Sequence, residues 1–127
     1  MKAVLVTCVL AVGLSTSGQV HDAGKRIIGY KCMMLNITEQ QAMDPNFRVD
    51  IKSAPSSASP SAGWAGAVVI VRDPALPENG FLQMLKPNGE TAWIRADMVK
   101  TYRPVADPTA KCVPEELPNG RIGTGPG

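Results

Sequence analysis

Three cysteines, a single histidine and a small set of aromatic side chains (two Trp, two Tyr, two Phe) are the residues of this chain with chemistry beyond ordinary packing. A catalytic thiol needs a general base beside it, and the one histidine, His21, belongs to a polar segment near the start of the chain. A redox pair would read Cys-x-x-Cys, and a structural zinc would take four ligands; neither pattern occurs. A Ser–His–Asp arrangement would rest on the same His21. Glu115 and Glu116 are adjacent in a proline-rich stretch that offers nothing to hold two carboxylates at the separation glycoside hydrolysis requires. No Gly-rich loop opens a helix to cradle phosphate. The residue types therefore point away from an enzyme, with no metal site and no cofactor expected. They point toward recognition, in which rigid aromatic side chains supply contact area at little entropic cost.

The first residues read as an export signal. Lys2 is followed by an apolar run from Ala3 to Leu14, and Ser15-Thr16-Ser17 then offers the small side chains a signal peptidase reads. Residues 1–17 are assigned to this leader, so Cys8 leaves with it and Cys32 and Cys112 remain. In an oxidising compartment each has only the other as partner, and a disulfide is the simplest outcome. Closing so long a loop is worth about 4.5 kcal/mol in the chain-entropy account, an upper figure. A secreted or periplasmic location follows. A formal net charge of +2 is too near neutrality for a nucleic-acid grip, which calls for a basic stripe. No apolar run approaches the roughly 18 residues of a membrane-spanning helix, so no stable insertion is expected after the leader is removed.

Twelve Gly and eleven Pro in 127 residues predict many turns and no long helix. Ile27 to Leu35 is an apolar run compatible with a strand or a buried helical turn. Thr38 and Gln41 have capping-box spacing, and Pro45 ends any helix there. Val49–Lys52 alternates with period two. Ser53 to Gly63 is a small-residue loop, Ala67–Val71 a β-branched strand, and Phe81–Lys86 and Glu90–Arg95 two strands joined by Pro87-Asn88-Gly89, a hairpin signal. Ala96–Val99 fits one tight helical turn, and Lys100–Arg103 a final short strand. Beyond Pro104 the chain is expected to run extended, pinned at Cys112, with 119–127 disordered. Five strands in so short a stretch are expected to close into a small barrel, which leaves few free edges.

Val49-Asp50-Ile51-Lys52-Ser53-Ala54-Pro55-Ser56 resembles the opening of a bacterial SH3-like domain, which runs apolar-x-apolar-basic-Ser-Gly-Pro-Ser. Further landmarks follow in order: Gly66 before the strand Val68–Val71, Asn79-Gly80-Phe81 where the family has Asn-Gly-Trp, the Asn88-Gly89 hairpin, Ala92-Trp93-Ile94 at its Gly-Trp-Val, and Met98-Val99 at its closing Tyr-Leu. Ala54 and Ala92 stand where the family has glycine, and Phe81 where it has tryptophan. The resemblance, over Val49 to Tyr102, implies a mainly β protein built on a five-stranded SH3-like barrel at 49–103. Residues 18–48 would form an extension with a strand and a short helix, and 104–127 a Pro/Gly-rich tail.

The same resemblance implies a module that binds a peptide, a protein partner or a cell-wall component such as peptidoglycan. Trp64, Phe81 and Tyr102 are the aromatic platforms expected to form a groove, with Arg72 beside them for polar specificity; Trp93, between Ala92 and Ile94, is expected in the core. Two other roles fit the same chain: a small periplasmic inhibitor that blocks an enzyme with the loop Ser53 to Gly63, and a structural subunit of an envelope complex docked through its N-terminal strand and proline tail.

Overall fold

The computed structural model describes residues 24–126; the assigned leader, Cys8 and His21 lie outside them. The chain is mainly β, in two antiparallel sheets. The strands are β1 (Lys25–Arg26), β2 (Tyr30–Leu35), β3 (Asp50–Lys52), β4 (Ser61–Trp64), β5 (Val68–Arg72), β6 (Phe81–Leu85), β7 (Thr91–Arg95), β8 (Val99–Thr101), β9 (Val113–Glu116) and β10 (Ile122–Gly125). A five-residue helix α1 (Glu39–Met43) follows β2, and a 3-10 turn (Ala96–Met98) precedes β8.

The local signals act as their chemistry dictates. Gln41 N–H donates to Thr38 Oγ1 (3.0 Å) and Thr38 N–H to Gln41 Oε1 (2.9 Å), closing the capping box of α1. At the β6–β7 turn Gly89 takes φ +89°, and its N–H donates to Lys86 O (2.9 Å). An L side chain rarely adopts that dihedral, which is why Asn-Gly marks the turn.

The expected closed five-stranded barrel is not what forms. The larger sheet has seven strands, in the order β4-β3-β7-β6-β5-β2-β8, and it is open. All five expected strands are present as β3, β5, β6, β7 and β8, but two more change the topology. The 27–35 run becomes β2, paired along Tyr30–Met34 with β5 and along Met33–Leu35 with β8. It lies inside the sheet, between β5 and β8, and is not an appendage. The end of the small-residue loop becomes β4, which folds back onto β3. With β2 beside it and nothing on its far side, β8 is one edge of the sheet and β4 the other.

One face of this sheet is the core. Val69 and Val71 of β5, Leu82 and Met84 of β6, and Ala92 and Ile94 of β7 are buried together with Ile51 and Val99. The period of two that puts Ala92 and Ile94 inside sends Trp93 to the opposite face. There it is half-buried, opposite Gln83 on β6 and Lys52 on β3. Trp93 is therefore not a core residue.

The tail is also not the extended, disordered strand the prolines and glycines suggested. β9 and β10 form a hairpin closed by Leu117–Gly120 (Gly120 N–H to Leu117 O, 2.8 Å), and β1 adds to the far side of β9. Glycine at 123 and at 125 leaves room for the Leu117 and Glu115 side chains that lie across the hairpin. Lys25 stands opposite Glu116 and Arg26 opposite Glu115, an arrangement of opposite charges that favours the pairing. A disulfide joins Cys32 in β2 to Cys112 just ahead of β9, with Cα atoms 6.0 Å apart, and so fastens the small sheet to the large one.

Candidate functional site

A groove of about 740 Å³ opens beside the large sheet. Both edge strands of the open sheet reach it, β4 through Trp64 and β8 through Lys100. The segment from β2 through α1 to β3 lines it as well, contributing Met34, Leu35, Ile37, Ala42, Phe47 and Arg48. Beyond β8 the chain passes Met34, whose sulfur accepts a hydrogen bond from the Arg103 N–H (3.1 Å), and Val105 completes the wall.

Trp64 marks the mouth of the groove. It is 63% exposed, and the Arg48 guanidinium sits 4.3 Å from its ring centroid, close enough for a cation–π attraction that holds the indole in place. Its strand is held by a polar clasp. Ser61 Oγ donates to Asp50 Oδ1 (2.6 Å), and Lys52 Nζ lies 3.1 Å from Asp50 Oδ2. The Ser61 hydroxyl and then the Lys52 ammonium stabilise the carboxylate and hold Asp50 below the ordinary aspartate value of 3.8. A depressed carboxyl contributes stability that is present above its ordinary value and lost as pH falls through the folded one. Ser61→Ala should move the Asp50 titration midpoint upward, toward 3.8, as followed by carboxyl-carbon NMR. An unmoved midpoint would show that the clasp does not act on Asp50.

Of the residues expected to form an aromatic groove, the structure brings only Trp64 to this one. Phe81, at 6% exposure, is buried at the start of β6 opposite Arg95 and offers no surface to a ligand. Tyr102 is half-buried beyond the end of β8 and does not line the groove. Arg72, at the end of β5, stands 5.8 Å from the Tyr30 ring and borders a separate cleft of about 220 Å³ that Trp93 and Leu76 also line. The loop ahead of Phe81 is tied to the loop between β3 and β4, Asn79 Nδ2 donating to Pro55 O (3.2 Å).

Comparison with family models, curated proteins and solved structures returns no match. The groove's lining is mostly apolar, with Arg48 and Lys100 as cations and Glu39 as the single carboxylate. Among the described residues, no group of three or more His, Cys, Asp or Glu is placed to hold a metal ion, and no helix is long and apolar enough to cross a membrane. The groove can bury an apolar side chain against Phe47 and Trp64 and can offer hydrogen bonds from cations at its rim.

The residues that sequence reasoning missed are Met34, Leu35, Ile37, Phe47, Arg48, Lys100 and Val105. Phe47-Arg48 directly before the Val49 strand was the available signal. An aromatic and a cation beside a short capped helix and a proline form a turn with its own apolar surface.

Proposed function

We propose that the protein is an exported, non-catalytic binding module of SH3-like type that takes a peptide segment of a partner protein in the groove beside Trp64. The observation that carries this is the exposed indole held under Arg48 at the mouth of an apolar groove. A large aromatic side chain kept in water and fixed in orientation is the usual anchor of a binding surface. The five strands the resemblance expects, β3, β5, β6, β7 and β8, occur in that order, with β4 inserted after β3 and the 3-10 turn ahead of β8, and this supports the SH3-like part of the proposal. The Cys32–Cys112 bond supports an oxidising location, as does the leader-like start of the sequence.

The loop from Ser53 to Ser59 favours a second reading, that of an inhibitor. Ser59 Oγ bridges Ala54 O (2.9 Å) and Ser56 O (2.6 Å), which pre-forms the loop, and a pre-formed loop loses little entropy on insertion into an enzyme cleft.

The purified protein should enrich peptides from a displayed random library, and Trp64→Ala should weaken the enriched peptides about thirtyfold, the loss typical of an interfacial tryptophan. In a Trp93→Phe background the remaining indole fluorescence should change as those peptides are added. Retention on peptidoglycan with no peptide enriched would turn the assignment to the cell wall. Stoichiometric suppression of a co-secreted hydrolase, sensitive to Pro55 and insensitive to Trp64, would turn it to inhibition.

A further inference from the structure

Resting on that reading of the groove, we propose that its occupant is an acidic peptide segment, with an apolar side chain seated beside Phe47 and Trp64, a neighbouring carboxylate held by Arg48, and the segment's negative charge also drawn by Lys100. The charge of the groove's lining carries the inference. Lys31, Lys52, Lys86 and Arg95 each have a carboxylate partner within the chain: Asp73, Asp50, Glu90 and Asp97; of the described cations without one, only Arg48 and Lys100 belong to the groove. Among the described residues, neither Arg48 nor Lys100 has one within ion-pair distance, and both line the groove. The lining thus carries two cations against Glu39 as its only acidic residue.

The stacking of Arg48 sharpens the point. A guanidinium that lies over an indole uses its face for the ring and keeps the N–H donors along its edge for a planar acceptor. A carboxylate matches that edge in a fork-like pair. Lys100 adds a mobile point charge from the edge strand β8, the groove's other flank. An apolar residue next to Asp or Glu therefore meets both demands of the groove, burial in its interior and an anion at its rim, and a cationic segment meets only the first.

The test uses a displayed library of random nine-residue peptides selected on the purified protein, followed by affinity measurement of enriched sequences. The pool is expected to be enriched in Asp and Glu next to apolar residues, and its members to bind more weakly as ionic strength rises. Lys100→Glu, an exposed change that leaves the core untouched, should weaken them about fivefold, and Arg48→Gln should weaken them as well. A pool that depends on Trp64 but shows no acidic enrichment, or ignores Lys100→Glu, overturns the acidic occupant and leaves the groove reading standing. A pool that does not depend on Trp64 overturns the groove reading itself.

Discussion

Ile94→Ala is expected to lower the unfolding free energy by about 3–4 kcal/mol, the cost of removing a fully enclosed aliphatic side chain and leaving a cavity. Ile94 has 0% exposure. It lies on β7 opposite Leu82 of β6, in one buried cluster with side chains of several strands, from Ile51 of β3 to Val99 of β8. Because so many strands meet there, no single neighbour can relax into the space, which places the cost in the upper part of the usual range. For a domain whose total stability is of the order of 5–15 kcal/mol, that is a large share. Urea denaturation followed by circular dichroism should show a lower midpoint with an unchanged slope. Val68→Ala is the matched control. Val68 lies on β5 beside the buried Val69 and faces outward, so it should cost less than about 1 kcal/mol. Equal losses at the two positions would mean that the inward and outward faces have been assigned the wrong way round.

That contrast shows what the sequence made legible. Alternation over Val49–Lys52 and Glu90–Arg95, the β-branched run before Arg72 and the Asn88-Gly89 turn each specify a strand or a hairpin by local chemistry, and each element is present. Alternation also held the information that Trp93 lies outside. Once Ala92 and Ile94 are taken as core, period two leaves the indole no other side, and its size is a weaker guide to burial than its register. Strand neighbours were not legible in the same way. Nothing local to Tyr30–Leu35 says that it will lie between β5 and β8, because non-local pairing is decided by which edges the rest of the fold leaves open. The same holds at Ser61–Trp64, where small residues signal a loop and only the Asp50–Ser61 clasp reveals a strand.

The tail misled for a related reason. Pro and Gly weaken a strand wherever a ladder donor or a packing side chain is needed. In β9 and β10 they fall where neither is lacking. The Pro114 carbonyl accepts from the Ile27 N–H (2.9 Å), and the two glycines stand where a neighbouring side chain needs the space. The groove was legible only at Trp64, a bulky residue among Gly and Ala with few sequence neighbours to cover it. Phe81, expected as a platform, is buried instead, because tertiary context and not its own segment decides what covers it. Phe47, Arg48 and Lys100 come from three separate stretches, and only the return of the chain past β8 assembles them.

Removing the bond between Cys32 and Cys112, in a Cys32→Ser, Cys112→Ser double variant or by reduction, should cost about 4 kcal/mol, slightly under the chain-entropy figure because the unfolded chain retains some structure. The loss should fall unevenly. The β1-β9-β10 sheet contributes nothing to the main buried cluster. Besides the disulfide it is tied to the large sheet by contacts such as the Ile122 N–H to Pro87 O bond (2.8 Å). Without the bridge, amides in β9 and β10 should exchange with solvent well before those of β5, β6 and β7, whose ladders and core do not pass through Cys112. Limited proteolysis should then open residues 102–112 first and leave a folded remainder. The whole chain should melt at a lower temperature under reductant while the large sheet keeps its circular dichroism. Identical melting curves with and without reductant would show that the bridge is either absent in solution or carries no stability. Simultaneous exchange of every strand would show that the small sheet is an integral part of the large one and not held on by the bridge.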